Sequence, residues 1–352
     1  MSISIKRKQQ KCRPLLSGSD GVYSSRKYTV SLTGHDQVKL RDIAYRPGPL
    51  SRLRSGFPTL ARLFREGFHD LIRKSDGALV GIVRKAIVYA APGADRFEKV
   101  MEIPRGSRPL NLCQFPDGSL YFGEYFSNGP RFQTDPTLAN NSGQFQRDVV
   151  HIYGSANGYE WQSVYQFPKN TVRHVHGIFY DTHRECAWIL TGDFGDESGI
   201  WVTYDKFKTV TAIARGNQAA RAVTLFMLPD RLIVPMDSNL EANFINSVDP
   251  ISGKMTQLAH LPGPVISSAI APDGSLLLST MVDFTEVEQS EEVCVLTSTT
   301  GDEWRVVTRF KRKPDRFTHP QLLFARQDND RHVYSYGINV EGYDGCLIEW
   351  AP

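Results

Sequence analysis

The stretch SANGYEWQSV, residues 155–164, reads as a tight hairpin turn rather than as part of a strand or helix. A short polar side chain, Ser155 or Asn157, can cap local amides, and Gly158 can take a positive φ. Trp161 then opens the next strand with a large apolar face. The same order, Ser, any residue, small polar, Gly, two residues, then Trp or Gln, recurs in STTGDEWRVV (298–307) and SLTGHDQVKL (31–40). One hairpin device used three times at wide spacing implies repeated antiparallel units.

Outward from these turns the chain is a succession of short runs such as ALVGIVRKAIVYAA, SLYFGEYF, AWILTGDF, RLIVPMD, SLLLSTMV and HVYSYGINV, separated by clusters such as SDG, PDG and TTGD. Helical spacing is confined to FPTLARLFREGF, residues 57–68, through Leu60, Leu63 and Phe64. Copies of one four-run pattern begin near Phe68, Pro109, Val172, Ala220 and Pro264, a shorter one follows Phe317, and residues 15–47 form a further short copy. Their spacing, roughly 40 to 60 residues, suits four-stranded propeller blades. The last copy shows three runs, QLLFAR, HVYSYGI and CLIEW, so SISIKRK within residues 1–14 is expected to supply its fourth strand and close the ring. The expectation is an all-β protein, a single β-propeller domain over residues 1–352. Seven blades are favoured over six, the count falling to six if residues 15–47 merge with the C-terminal copy.

The three turns resemble the Asp-box turns of sialidase-type β-propellers, which carry Ser, Asp, Gly and Trp in a hairpin. Here Asn157, Thr300 and Thr33 stand where that family has aspartate, and the turn is one residue shorter. The resemblance implies architecture. Sialidase activity is not expected, because that family's Arg-Ile-Pro motif does not occur in this chain.

Composition narrows the class further. The 41% apolar content suits a globular core in a chain of 352 residues, and a net charge of +3 gives no reason to expect nucleic acid. No run has the length of a signal peptide core or a membrane span, so a cytoplasmic protein without membrane contact is expected. Five widely spaced cysteines without a CxxC pair read as free thiols. Oligomeric state is left open.

In an up-and-down blade the start of the first strand and the end of the second meet at one face. The first-strand starts carry His69 with Asp70, Arg108 with Asn111, Arg173 with His174 and His176 (RHVHG, 173–177), Gln218 with Arg221, and His319 with Gln321. The second-strand ends carry Glu124 with Tyr125, Asp193, Asp237 with Asn239 and Asn243, Asp283, and Asn339. Such a ring at a concave mouth is the natural place for a ligand, the alternative being a wet channel whose polar groups satisfy one another. The polar insertion 126–149 is expected to rise at the same face as a lid or a surface loop. In TGDFGDES (191–198), Asp193 is placed at the mouth, whereas Asp196 and Glu197 are expected to face solvent.

These residue types can support elimination from an acidic saccharide, which needs a base, a partner for the carboxylate and a proton donor to the leaving oxygen. His174 or His176 would be the base, Arg108, Arg173 or Arg221 the carboxylate partner, and Tyr125 the donor. In type the ring is similar to that of propeller polysaccharide lyases with active-site histidines. Glycoside hydrolysis would instead draw two carboxylates from Glu124, Asp193, Asp237 and Asp283. A divalent metal would suit His174, His176 and Asp193 with His319 from another blade, although no cofactor is specified by a motif. A non-catalytic platform for a glycan or protein partner is the remaining class. The expected catalytic set is thus His174, His176, Tyr125, Glu124 and Asp193, with Arg108, Arg173, Gln218, Arg221, Asp237, His69 and His319 binding a saccharide.

Overall fold

The computed structural model describes residues 4–10, 12–129, 146–285, 287, 290–314, 318–328 and 332–351. Its strands assemble into five four-stranded sheets and one nine-stranded sheet. The large sheet contains two four-strand meanders, 13–45 and 68–102. Their outer strands Lys39–Tyr45 and Arg96–Glu102 pair in parallel, and the short strand Arg326–Asp328 lies parallel to Arg13–Gly18. The remaining sheets span 113–167, 174–215, 226–260 and 265–311, and a last one joins three C-terminal strands to Ser4–Gln10. There Ser4–Gln10 runs antiparallel to Cys346–Ala351, so the two ends of the described chain meet in one sheet.

Apolar alternation puts the core between sheets rather than at one centre. Cys113, Phe115 and Tyr121 pack with Val175, Ile178 and Ile189 of the next sheet, and Trp188 and Leu190 pack with Leu232 and Val234 of the one after. Two of the three related turns are built alike. The Ser155 Oγ accepts from the Gly158 amide at 2.8 Å, Gly158 has φ +83°, and the Trp161 indole donates to the Gly158 carbonyl at 3.1 Å. Ser298, Gly301 and Trp304 repeat this with 2.8 Å for both bonds. The turn at Ser31 differs: its hydroxyl donates across the strand pair to Asp42 at 2.6 Å, and Gln37 rather than Gly34 takes the positive φ.

Among the described residues α-helix is limited to Pro58–Leu63, inside the stretch with helical spacing, and Pro49–Ser55 just before it, with single 3-10 turns at Gly195–Glu197 and Gln218–Ala220. All five cysteines are free. Among the described residues no helix is long and apolar enough to cross a membrane.

Candidate functional site

His174 and His176 begin the inner strand His174–Asp181. The pairing with Cys186–Gly192 passes from Val175 opposite Thr191 to Gly177 opposite Leu190, leaving His176 in a β-bulge outside the ladder. Bulges re-aim side chains near sites, and here the ring of His176 is directed by its own partners. It also needs the residue across the pair to be glycine, since a Cβ on Gly192 would lie 2.4 Å from His176 Cε1.

The tautomers follow from the backbone. His174 Nδ1 lies 3.0 Å from the Phe126 carbonyl and His176 Nδ1 lies 2.9 Å from the Ala222 carbonyl, and a carbonyl can only accept, so both Nδ1 atoms carry hydrogen. Each Nε2 of a neutral ring is then a lone pair. These two atoms are 3.1 Å apart, and Asp193 Oδ1 lies 2.9 Å from His176 Nε2 and 3.4 Å from His174 Nε2. Three acceptors facing one another at these distances, with both imidazoles buried, repel unless a proton or a cation stands among them. Two imidazole nitrogens and one carboxylate oxygen, with both rings oriented by backbone carbonyls, also form a donor set that fits a divalent transition metal.

The surroundings set the charges. Burial alone would raise the Asp193 carboxyl, but with a proton among the three groups the interaction with His174 and His176 holds it well below the usual carboxylate range, and Arg173 Nη1 at 2.5 Å acts in the same sense. Burial lowers His174, against the pull of Asp193, so its neutral form dominates near pH 7. The Tyr125 ring lies 4.3 Å from the His174 ring, centre to centre, and its phenol is pushed upward by burial and by Asp193. Among the described residues the Tyr125 hydroxyl makes no hydrogen bond. Asp237 is buried, 4.0 Å from Arg221 Nη2, and burial raises its carboxyl to about 6.

The structure thus brings together His174, His176, Asp193, Arg173, Tyr125, Arg221 and Asp237. Several of the expected residues have other employment. Glu124 is held by Arg105 through both carboxylate oxygens, and one of them also accepts from the His151 amide at 2.9 Å, so it stands apart from the histidines as a structural ion pair. Arg173 is committed to Asp193 and stacks 5.3 Å from the Phe194 ring centre. Gln218 donates to the Asp193 carbonyl at 2.9 Å and accepts from Ser238 at 2.8 Å, a strut rather than a free amide. Arg221 donates to Asn239 at 2.6 Å. His319 lies beside Asp283 at 3.5 Å and stacks on Phe284, and it does not join the histidine pair. His69 is bonded through both ring nitrogens, and Arg108 makes no hydrogen bond or ion pair among the described residues.

Glu197, expected in solvent, is buried against Arg147, whose Nε donates to it at 2.5 Å. Burial raises its carboxyl despite that partner. Arg147 lies in the returning arm of the insertion, where the sequence offers nothing to mark it. Of the insertion itself, residues 130–145 lie outside the described residues, and the lid reading goes with them.

No protein-family model and no curated protein sequence matches the chain. Solved structures do. A catalytically inactive virginiamycin B lyase from Staphylococcus aureus, bound to quinupristin, aligns over 99% of both chains with a TM-score of 0.61 at 10% identity. An oligogalacturonate lyase in complex with manganese aligns over 100% of this chain and 97% of its own, with a TM-score of 0.57 at 11% identity. YCF48 from Cyanidioschyzon merolae aligns over 100% and 99%, with a TM-score of 0.57 at 11% identity. All three are β-propeller proteins, and a likeness at this identity carries the fold alone.

Proposed function

We propose that the chain is a seven-bladed propeller, counting the two meanders of the large sheet as separate blades, and that it cleaves an acidic oligosaccharide by β-elimination at the His174 cluster. The observation that carries this reading is the buried, neutral His174 beside Asp193, its ring 4.3 Å, centre to centre, from that of Tyr125, whose hydroxyl makes no hydrogen bond among the described residues. His174 Nε2 takes the proton alpha to the substrate carboxylate. As the carbon–oxygen bond beta to that carboxylate breaks, the electron pair forms the new carbon–carbon double bond, and Tyr125 gives its proton to the leaving oxygen. Arg173 and Arg221 are engaged with protein acceptors, so Arg108 is the predicted arginine left to neutralise the carboxylate. Hydrolysis by paired carboxylates is less well supported, since Glu124 is tied to Arg105.

A second arrangement of the same chemistry rests on the converging acceptors. If His174, His176 and Asp193 hold a divalent metal, the ion would polarise the substrate carboxylate, and Asp237 would be the remaining base of suitable pKa.

The test is an ultraviolet assay for unsaturated uronate ends on a panel of acidic oligosaccharides, with and without chelator. Absorbance that rises with wild type, persists in chelator and vanishes in His174→Ala supports the base assignment. Loss with chelator, restored by manganese or zinc and abolished by Asp237→Asn, moves the base to Asp237. Absence of product on every substrate sinks the lyase reading in favour of a binding platform.

A further inference from the structure

Arg108, the arginine left for the substrate carboxylate, stands near two others, Arg13 and Arg65, to which the chemistry above gives no role. Arg13 opens the inner strand Arg13–Gly18, Arg65 precedes Phe68–Arg73, and Arg108 precedes Cys113–Gln114, so they occupy the same end of three successive inner strands. His69, bulged out of its ladder as His176 is, ties two of them together. Its Nδ1 accepts from Arg13 Nη1 at 3.2 Å, its carbonyl accepts from Arg13 Nη2 at 3.2 Å, and its Nε2 donates to the Arg65 carbonyl at 2.7 Å. Both ring nitrogens are spent, and burial, reinforced by Arg108 and Arg13, keeps the ring neutral. His69 is therefore a positioning residue.

The charge here is unbalanced. The acid of this neighbourhood, Asp70, accepts from the Leu71 amide at 2.9 Å and from the Leu112 amide at 2.8 Å, and both of its oxygens are bonded to Arg326. Neither Arg65 nor Arg108 makes a side-chain hydrogen bond or ion pair among the described residues, and the Arg108 Nε is buried without a partner. The Arg65 guanidinium stands 5.9 Å from the centre of the Tyr125 ring, on which the His174 cluster also borders. Burial, with Arg13 and Arg65 adding to it, pushes Arg108 well below the usual guanidinium range. Because guanidinium keeps its proton in proteins, this reads as a standing excess of positive charge. Arg13 and Arg108 are half-buried and Arg65 is exposed, and among the described residues no carboxylate is ion-paired to any of the three, so their positive charge is left for an incoming anion.

We propose that Arg13, Arg65 and Arg108 form an oxyanion subsite that receives the carboxylate of a ligand lying against Tyr125. The inference rests on the lyase reading for the sugar and not for the charge. Planar guanidinium forks match carboxylate as well as phosphate, so the source must be distinguished by experiment.

The experiment is titration calorimetry on the full chain with a galacturonate trisaccharide, a neutral galactose trisaccharide and inorganic phosphate. Wild type, Arg65→Gln, Arg108→Gln and His174→Ala are compared. Wild type is expected to bind the acidic sugar and not the neutral one, more weakly as salt rises. Arg65 is exposed, so Arg65→Gln should leave the unfolding temperature in place while weakening binding about tenfold, and Arg108→Gln should weaken it at least as much. His174→Ala should still bind. Equal binding of acidic and neutral sugars, or acidic binding unchanged in both arginine variants, overturns the subsite, and so does binding of phosphate without binding of galacturonate. Arginine-dependent binding with no unsaturated product from any substrate upholds the subsite and removes the lyase reading.

Discussion

Asp193 is shared by two histidines and an arginine, and it keeps Arg173 from being a nearly buried cation without a counter-charge. Asp193→Asn keeps the shape and removes the charge, so it should cost roughly 2–4 kcal/mol, read as a lower midpoint in urea unfolding. A loss within error of zero would mean that water already screens Arg173. Asp237 works in the opposite sense. Its carboxyl is raised to about 6, whereas an unfolded aspartate titrates at about 3.9. The folded state therefore holds a proton that the unfolded state has lost between those values. The stabilisation is complete below about pH 4 and disappears as pH rises through about 6, a difference of roughly 3 kcal/mol. Asp193, depressed in the fold, contributes above about pH 4 and is lost as pH falls. Unfolding measured against pH should accordingly show a decline between pH 4 and 7 that Asp237→Asn flattens, while the loss on the acid side remains.

At the scale of elements, the repeated device of the inner strands is the bulge. Ladders slip at Leu15, His69, His176 and Ile266, each time near the start of an inner strand, and two of the four slips carry histidines that organise charge. Alternation in the sequence places His174 and His176 on one face of a strand. It does not announce that the second is outside the ladder, nor that backbone carbonyls of Phe126 and Ala222 fix both tautomers. Local chemistry was legible where it is local: the Ser155 and Ser298 turns, the strand runs, and Asp193 at the end of ILTGD. Pairings over long sequence distances were not, which is why Glu124 and Glu197 read as free carboxylates when Arg105 and Arg147 hold them. Arg13 was within reach, because the rule that selects first-strand starts points to it once residues 15–47 are treated like the other copies. Gly192→Ala tests the bulge directly. The new methyl would need the space of the His176 ring, so activity or metal-induced stabilisation should fall at least tenfold while unfolding shifts by about 1–3 kcal/mol. Retained activity would show that the ring can relocate.

On the scale of the molecule, ring closure depends on seven residues. Ser4–Gln10 forms the outer strand of the last sheet, and through it Lys6 and Arg7 reach the buried carboxylate of Glu349 at 2.8 and 3.1 Å. Removing residues 4–10 would do two kinds of damage. It would expose the strand Cys346–Ala351 as an unpaired edge carrying buried Leu347, Ile348 and Trp350, and it would leave Glu349 without either cation in an apolar wall. The first effect promotes association and the second lowers stability. They can be separated with Glu349→Gln in the shortened chain, which restores neutrality without restoring the strand. The shortened chain is expected to unfold at least 5 °C lower and to elute as larger species on size exclusion, and Glu349→Gln should recover part of the temperature but none of the monomer. The His174 cluster lies in the sheet 174–215, which shares no strand pairing with the last sheet. Arg13, by contrast, follows the removed strand closely and stands 5.9 Å from the Tyr336 ring of the last sheet, so binding of acidic sugar by whatever monomer remains should weaken, and unchanged binding would mean that the mouth does not depend on closure of the ring.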